Sequence, residues 1–554
     1  MMRITSVLAF ALTAAACNPT TPPPAVAFHQ PGRIVGAVDV GPSDRAEILE
    51  LVLSFKLRQP ERLAEVMRAQ GDRGSSRYRQ FYTPAQYADE FGATVEDYQR
   101  IIDWAQASGL EVVRRSPSRA TLIVRGSAEV IEQALGTRLR MYRDQYGEFR
   151  SPTAELTGWP TIGGTVQALV GLDTAGRWFS HRLESKQPTI PTPQRTNGGL
   201  DPVDIQALYN TAAVTQKGEG QTVAVLGTGF PPDPVMDVDG FIKKFKLNTL
   251  YGTTRTAQYT QVFVGGPNRD NDNLSNNEYG ENLLDIDMVL GVAPRASVVH
   301  VFTAQNGGGL FADGIEFVIN NVPNAHSASL SFGSCDRVAD SEVLTLNQLF
   351  QQAKAEGQQW FSASGDNGTD ACRDGRGNKV LSVDWPSASP YVLGVGGTSL
   401  SGVTEIGWGG SGGGESEIIA KPDFQLGVGP FPNDGVRDVP DVAAMAGDPG
   451  VSTFAQGQVF PSQGTSAAAP TWAGIWALID QSQGGTGISN GAEHLYALGE
   501  QQQGGGPAVF NDIVSGGNAG PATQGYNAVV GYDLVTGWGT PNTASLIANW
   551  TSVP

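Results

Sequence analysis

One hydroxyl in this chain stands where chemistry can be done. Ser466 lies in Ser462-Gln463-Gly464-Thr465-Ser466-Ala467-Ala468-Ala469-Pro470-Thr471-Trp472, crowded by small residues and followed by an apolar run at 473–479. Glycine and alanine let backbone and incoming groups approach closely, and the run predicts a helix that begins at the serine. Free N–H groups and the positive end of such a helix favour developing negative charge. These residue types suit a nucleophile. A buried helix start built of small residues would read the same if nothing accompanied it.

A serine nucleophile needs a base, commonly a histidine. The chain has five histidines, His29, His181, His300, His326 and His494. None is followed by Gly-Thr, and the first two fall in a segment that reads as removable. In their place stands Gly280-Glu281-Asn282-Leu283-Leu284-Asp285-Ile286-Asp287, heading a helix predicted over 281–292. Glu281 and Asp285 are four residues apart, so both project from one helical face. Two carboxylates that close tend to share a proton. Such a pair can take a proton from a serine in acid, where histidine is already protonated. A third carboxylate, Asp366 in Ser362-Ala363-Ser364-Gly365-Asp366-Asn367-Gly368, follows a strand-like run ending at Phe361. This spacing predicts a tight turn at a strand's C-terminal end, where open α/β sheets gather their chemistry. Kept protonated by its neighbours, Asp366 would donate a hydrogen bond to an oxyanion. Taken singly, an acidic helix start and a turn aspartate would each be ordinary.

Taken in order, Glu-x-x-x-Asp, Ser-Gly-Asp-x-Gly and Gly-Thr-Ser-Ala-x-x-Pro resemble the sedolisin family of serine-carboxyl peptidases. The missing His-Gly-Thr sets the chain apart from subtilisin-type enzymes. The resemblance runs from about residue 75 to the C-terminus. It implies that Glu281 is the general base, that Asp285 orients it, that Asp366 completes the oxyanion hole and that Ser466 attacks. It also implies an α/β fold, with a subtilisin-like doubly wound parallel sheet preceded by a small α+β, ferredoxin-like prodomain. Some members add a second glutamate on the first strand of the enzyme domain. Here that region reads Leu226-Gly227-Thr228-Gly229, so a shorter proton-sharing network is expected. Asp384 stands where some relatives carry an acid near the S1 pocket, which would favour Arg or Lys at P1. A buried structural hydrogen-bonder fits Asp384 equally well.

Phe510-Asn511-Asp512-Ile513 and Val529-Val530-Gly531-Tyr532-Asp533 resemble the family's C-terminal calcium site. The implied ligands of one structural Ca2+ are the side chains of Asp512 and Asp533 and the carbonyls of Ile513, Val529 and Gly531. Carboxylates and carbonyls suit a hard cation.

The supporting elements alternate. Strand-like runs at 222–227, 297–302, 328–332, 359–363 and 391–395 are interleaved with helix-like stretches at 281–292, 311–321 and 343–355. That order predicts a parallel, doubly wound sheet. The run Gly407-Trp408-Gly409-Gly410-Ser411-Gly412-Gly413-Gly414 lacks the Gly-Lys-Ser/Thr of a phosphate loop, leaving a flexible substrate-side loop or a turn cluster. Upstream, Thr83-Pro84 reads as an N-cap and first helical residue. A strand at 120–126, a helix at 128–135 and a strand at 138–142 complete a pattern that resembles the family's prodomain, which assists folding and covers the active site.

Charge divides the chain at the same place. Residues 28–186 hold 21 Lys/Arg against 20 Asp/Glu, whereas residues 187–554 hold 15 against 35. The acidic enzyme part argues against nucleic-acid binding and suits work at low pH. Residues 1–16 read as a signal peptide. Ala14-x-Ala16 suits ordinary cleavage, and Cys17 before Asn-Pro-Thr-Thr-Pro-Pro-Pro suits a lipoprotein anchor. The organisation is therefore signal 1–16, prodomain 28–184, cleavable Pro-rich linker 185–200 and peptidase domain 201–554. Cys335 and Cys372 remain as an even pair in a protein bound for an oxidising compartment, predicting a disulfide beside Asp366. These readings lead to a secreted or cell-envelope, monomeric, self-processed acid endopeptidase acting on proteins or peptides, with its own prodomain as inhibitor. A tripeptidyl aminopeptidase with a blocked cleft, and an inactive surface protein on a peptidase fold, are the alternatives.

Overall fold

The computed structural model describes residues 34, 36–144, 147–154, 156–158, 161–176, 178–184, 198–229, 234–264, 276–303, 308–336, 340–373, 379–488, 490–520 and 522–553. The proposed signal segment and Cys17 lie outside the described residues, as does most of the 185–200 linker. No helix among the described residues is long and apolar enough to cross a membrane.

The enzyme part is organised on one sheet. Its strands lie side by side in the order Tyr259–Val264, Ser297–Thr303, Thr222–Thr228, Ala325–Leu330, Gln359–Ala363, Val392–Ser401 and Thr404–Gly407, and Val442–Met445 also pairs with Val392–Ser401. All pairings are parallel except that of Thr404–Gly407. Buried on both faces, Thr222–Thr228 is buried along its whole length and reads as a continuous apolar run. The helices Asn276–Val292 and Thr465–Ser482 pack together against one face, and Gly308–Asn321 and Asp340–Ala355 cover the other. The helix Thr465–Ser482 is buried almost throughout, and its Trp472 and Trp476 pack on Phe361 of the sheet. This is why its sequence is apolar all round rather than amphipathic.

The prodomain carries a four-stranded antiparallel sheet, ordered Glu111–Arg115, Thr121–Ser127, Ile48–Phe55 and Val166–Val170. The helices Val95–Ala107 and Ala128–Leu135 fill one face with the apolar core around Leu51, Leu53, Ile101 and Ile131. Thr83 caps the helix Pro84–Glu90 through a capping box with Gln86, as the sequence predicts. The other face of the sheet is given to the enzyme: Val52, Ile123 and Val170 join a core with Ile315, Leu346 and Phe350.

Candidate active site

The helix Asn276–Val292 presents Glu281 and Asp285 to the start of Thr465–Ser482, and all three of Glu281, Asp285 and Ser466 are fully buried. The two helices close tightly because residue 474 is glycine; any Cβ there would run into Val289 and Val292. The Glu281 carboxylate is close enough to the Ser466 hydroxyl and to Asp285 for both to bear on its charge, while Glu281 Oε1 and Asp285 Oδ2 have no hydrogen-bond partner among the described residues. Asp285 in turn accepts from the Ser331 hydroxyl at 2.7 Å. Burial raises both acids above the ordinary carboxylate range. Asp285 is held the higher, because the Glu281 charge adds to its desolvation, while the hydroxyls of Ser180 and Ser466 and the Arg182 guanidinium pull Glu281 back down. Two buried acids this close share a proton between them, and the pair can accept another.

Pro470 also has a local task. It lacks the N–H that would bond the Ser466 carbonyl four residues back, and the Ser331 hydroxyl approaches that carbonyl instead, at 3.4 Å. The Ser466 hydroxyl lies 3.3 Å from the Ser331 carbonyl.

Asp366 sits in the turn after Gln359–Ala363. Its Oδ1 accepts from the Thr465 amide at 2.7 Å and the Thr465 hydroxyl at 2.9 Å, whereas its buried Oδ2 has no hydrogen-bond partner among the described residues. Burial, opposed by Thr465 and reinforced by the Glu281 charge, raises its pKa well above the ordinary carboxylate value. Oδ1 is committed as an acceptor, so the proton belongs on Oδ2. The glycine run at 407–414 is neither a phosphate loop nor a loose substrate flap. The Gly412 amide bonds the Gly365 carbonyl at 2.8 Å, the Gly368 amide bonds Gly410, and the Ser364 hydroxyl bonds the Gly412 carbonyl. The run braces the Asp366 turn.

The Cys335–Cys372 disulfide is present, with Cα atoms 5.0 Å apart. Cys335 belongs to the strand Phe332–Cys335, which pairs on one side with Asp384–Trp385. On its other side it pairs with Phe179–Ser180, from the end of the prodomain. This last strand is the feature the sequence did not reveal. Residues 179–184 cross the cleft as an added strand, first along Phe332–Cys335 and then, through Leu183–Glu184, along Gln458–Gln463. Between the two pairings the His181 carbonyl accepts from the Ser466 amide at 3.3 Å. That oxygen and Asp366 Oδ2 both crowd the place where a Cβ of residue 464 would stand, which only Gly464, at φ 118°, leaves open. The Ser180 hydroxyl donates to Glu281, and the His181 ring reaches Asp384 at 3.4 Å in a pocket walled by Gly333 and Gly365. Burial, with the charges of Asp366 and Asp336, raises Asp384 well above its usual range, and burial pushes His181 down to about 4. His181 was set aside as a base in the sequence reading, and it stands in the cleft as an occupant. No spacing in the sequence links Ser180, Arg182 or Ser331 to the motifs; Thr465 stands within the Gly-Thr-Ser motif, but its bonds to Asp366 show only in the fold.

Asp512 and Asp533 converge on the 529–531 loop. The Gly531 amide donates to Asp512 and the Val529 amide to Asp533, each at 3.0 Å. Burial raises Asp512 and brings Asp533 to about 6. Two partly desolvated carboxylates brought to one loop suit a hard cation, whose charge would relieve that cost. The loop is tied to the cleft: Asn518 donates to the Leu534 carbonyl at 3.0 Å and to that of Ser411, in the run bracing Asp366. Cys335, Asp336 and Cys372 also lie close enough to suggest a metal, but the disulfide uses both sulfurs.

A buried Glu/Asp pair and a turn aspartate around a serine in the first turn of a buried helix, on a parallel sheet, define a serine-carboxyl peptidase site. Comparisons with known proteins agree. Residues 35–174 match the pro-kumamolisin activation domain, and residues 218–493 match the subtilase family. The chain is 30% identical to kumamolisin of Bacillus sp. (strain MN-32) over 492 residues, covering 82% of this chain and 83% of that protein. It is 25% identical to tripeptidyl-peptidase 1 of Mus musculus, covering 92% and 93%. The solved structure of Pseudomonas sedolisin, a serine-carboxyl proteinase complexed with pseudo-iodotyrostatin, superposes with a TM-score of 0.55 at 25% identity. That match covers 64% of this chain and 98% of sedolisin. The chain belongs to the sedolisin family of serine-carboxyl peptidases, and it carries the activation prodomain of a zymogen.

Proposed function

We propose that this protein is a secreted, acid-acting endopeptidase that matures by cutting itself. Ser466 Oγ attacks a peptide carbonyl while Glu281 takes its proton, and Asp285, which shares a proton with Glu281, orients it. The oxygen that becomes an oxyanion meets the Ser466 amide and the protonated Oδ2 of Asp366. Removing one such donor costs about 10²–10³-fold in rate. Glu281 then returns its proton to the leaving amine, and water repeats the sequence on the acyl-enzyme. The observation that carries this reading is the His181 carbonyl lying against the Ser466 amide, with protein chain continuing on both sides.

That continuation favours endopeptidase over tripeptidyl-peptidase action. Upstream of His181 the chain runs back through Ser180 and Phe179 to Trp178, which stacks on Phe311 and donates to Glu342 at 2.8 Å. A cleft closed after three residues would not admit it. A Ca2+ held by Asp512 and Asp533, with the carbonyls of Ile513, Val529 and Gly531, would stiffen the loops that reach the Asp366 turn. Export through residues 1–16, with or without a lipid on Cys17, completes the proposal.

Mass spectrometry of the proprotein shifted to about pH 4, beside Ser466→Ala, tests it. Loss of the prodomain in the wild type alone is expected. If both proteins stay intact and neither cuts denatured protein, the inactive surface-protein alternative replaces the proposal.

A further inference from the structure

Besides its pull on Glu281, one side chain of the tail is held in a seat of its own. Arg182 follows the residue whose carbonyl lies at Ser466, and it is 4% exposed. Its guanidinium carbon lies 5.2 Å over the Phe460 ring, and its Nε donates to the Ser462 hydroxyl at 3.2 Å. Ser462 is fully buried and already accepts from the Thr453 hydroxyl at 3.0 Å, so its oxygen is fixed as an acceptor. The guanidinium also rests where a Cβ on Gly280 would be, immediately before Glu281. Just beyond, Leu183–Glu184 pairs in register with Ser462 and Gln463. An aromatic face, an oriented acceptor and a glycine floor make a seat for a planar cation.

We infer that Phe460, Ser462 and Gly280 form an S1′ subsite for an arginine side chain, and that the first bond cut in maturation is His181–Arg182. This rests on the proposed peptidase reading and places the first cut just ahead of the 185–200 linker. The step balances within the site. Ser466 Oγ bonds the His181 carbonyl carbon and its proton passes to Glu281. The carbon–nitrogen bond to Arg182 then breaks as Glu281 protonates that nitrogen, and water releases His181 as a free carboxylate. Arg182 becomes the new N-terminus, and its side chain already sits on the product side of the cleft. Ser180, bonded to Glu281, and His181, against Asp384, fill the neighbouring subsites, so the tail is read on both sides of the bond.

The test uses acid-activated enzyme and a synthetic peptide with the sequence of residues 176–186. It is compared with two variants carrying alanine or citrulline in place of Arg182; citrulline keeps the shape and removes the charge. Cleavage between His and Arg is expected, with kcat/KM lower by about tenfold for either variant. Phe460→Leu is expected to abolish that difference, and the earliest fragment from the wild-type proprotein is expected to begin at Arg182. Cleavage at another bond, or equal rates for arginine and citrulline, would overturn the inference. The peptide series needs only the wild-type enzyme, so it decides even where Phe460→Leu does not fold. Denatured protein cut by the same preparation shows that the peptidase reading stands regardless; if that too is uncut, the peptidase reading has failed first.

Discussion

The cleft and the seam between prodomain and enzyme both bury carboxylates, and they treat them in opposite ways. On the seam, Arg114 of the prodomain meets Asp313 and Glu316, and Arg79 meets Asp480 at 2.9 Å. In the cleft, Glu281, Asp285, Asp366 and Asp384 are answered mainly by hydroxyls, amides and one another. The basic groups that reach them, Arg182 and His181, belong to the tail. A buried acid bonded to arginine holds two surfaces together through a charge-assisted contact, even where burial lifts the acid, as at Asp313, to about 8. A buried acid facing other acids is driven to hold a proton, which is what a proton-shuttling base pair and an oxyanion donor require. The difference separates attachment from catalysis within one acidic surface.

Changes at the two regions should separate accordingly. Ser466→Ala should abolish self-cleavage and peptide hydrolysis by at least about 10⁴-fold while leaving prodomain attachment intact, seen by mass and by size in one experiment. On the seam, Arg114→Ala in the Ser466→Ala background strands Asp313 and Glu316. It should cost about 3–5 kcal/mol in unfolding free energy, whereas Lys243→Ala, at an exposed pair with Asp239, should cost about 0.5 kcal/mol or less. An equal effect of the two would remove the distinction drawn here. Asp366→Ala should lower kcat/KM by about 10²–10³-fold. Asp366→Asn keeps both the acceptor facing Thr465 and a donor at the Oδ2 position, so it should stay within about tenfold of wild type and lose less activity as pH rises.

Two smaller effects sharpen the contrast by pH. Glu342, where Trp178 anchors the tail, is raised by burial to about 8. A carboxyl whose pKa is raised on folding contributes stability fully present below its unfolded value, near 4. That stability is lost as pH climbs through the folded value. The Ser466→Ala proprotein should therefore melt higher at about pH 4 than at about pH 8; a melting curve rising with pH would contradict the assignment. Metal removal should show the reverse trend. Protons compete with a cation for Asp512 and Asp533, so chelation should lower the melting temperature near neutrality by a few degrees and have less effect below about pH 5.

Much of this was legible in the chain because it is local. The strand Gln359–Ala363 and the helix Ala128–Leu135 fall where periodicity and caps put them, and Thr83-Pro84 starts a helix as written. Glu281 and Asp285 share a face because they are four residues apart. The glycine run at 407–414 was harder: without side chains it carries no periodicity, and its role as a brace for Asp366 follows from backbone bonds across the fold. Asp384 could be read as a pocket acid or a structural one until His181 was found against it.

The sequence alone picked out Ser466, Glu281, Asp285 and Asp366 as candidates, and it carried the parallel sheet and a prodomain ahead of the enzyme part. Each of these is set by residue type, short spacing or element order, which the chain carries in itself. Only the tertiary structure decided which oxygen of Asp366 holds a proton, what covers the cleft, and that Ser180, His181 and Arg182 lie against Glu281, Asp384 and Phe460. Those contacts join residues about a hundred to nearly three hundred positions apart. Proton placement, subsite identity and desolvation depend on what surrounds a group in space, and no one-dimensional pattern encodes that before the chain has packed.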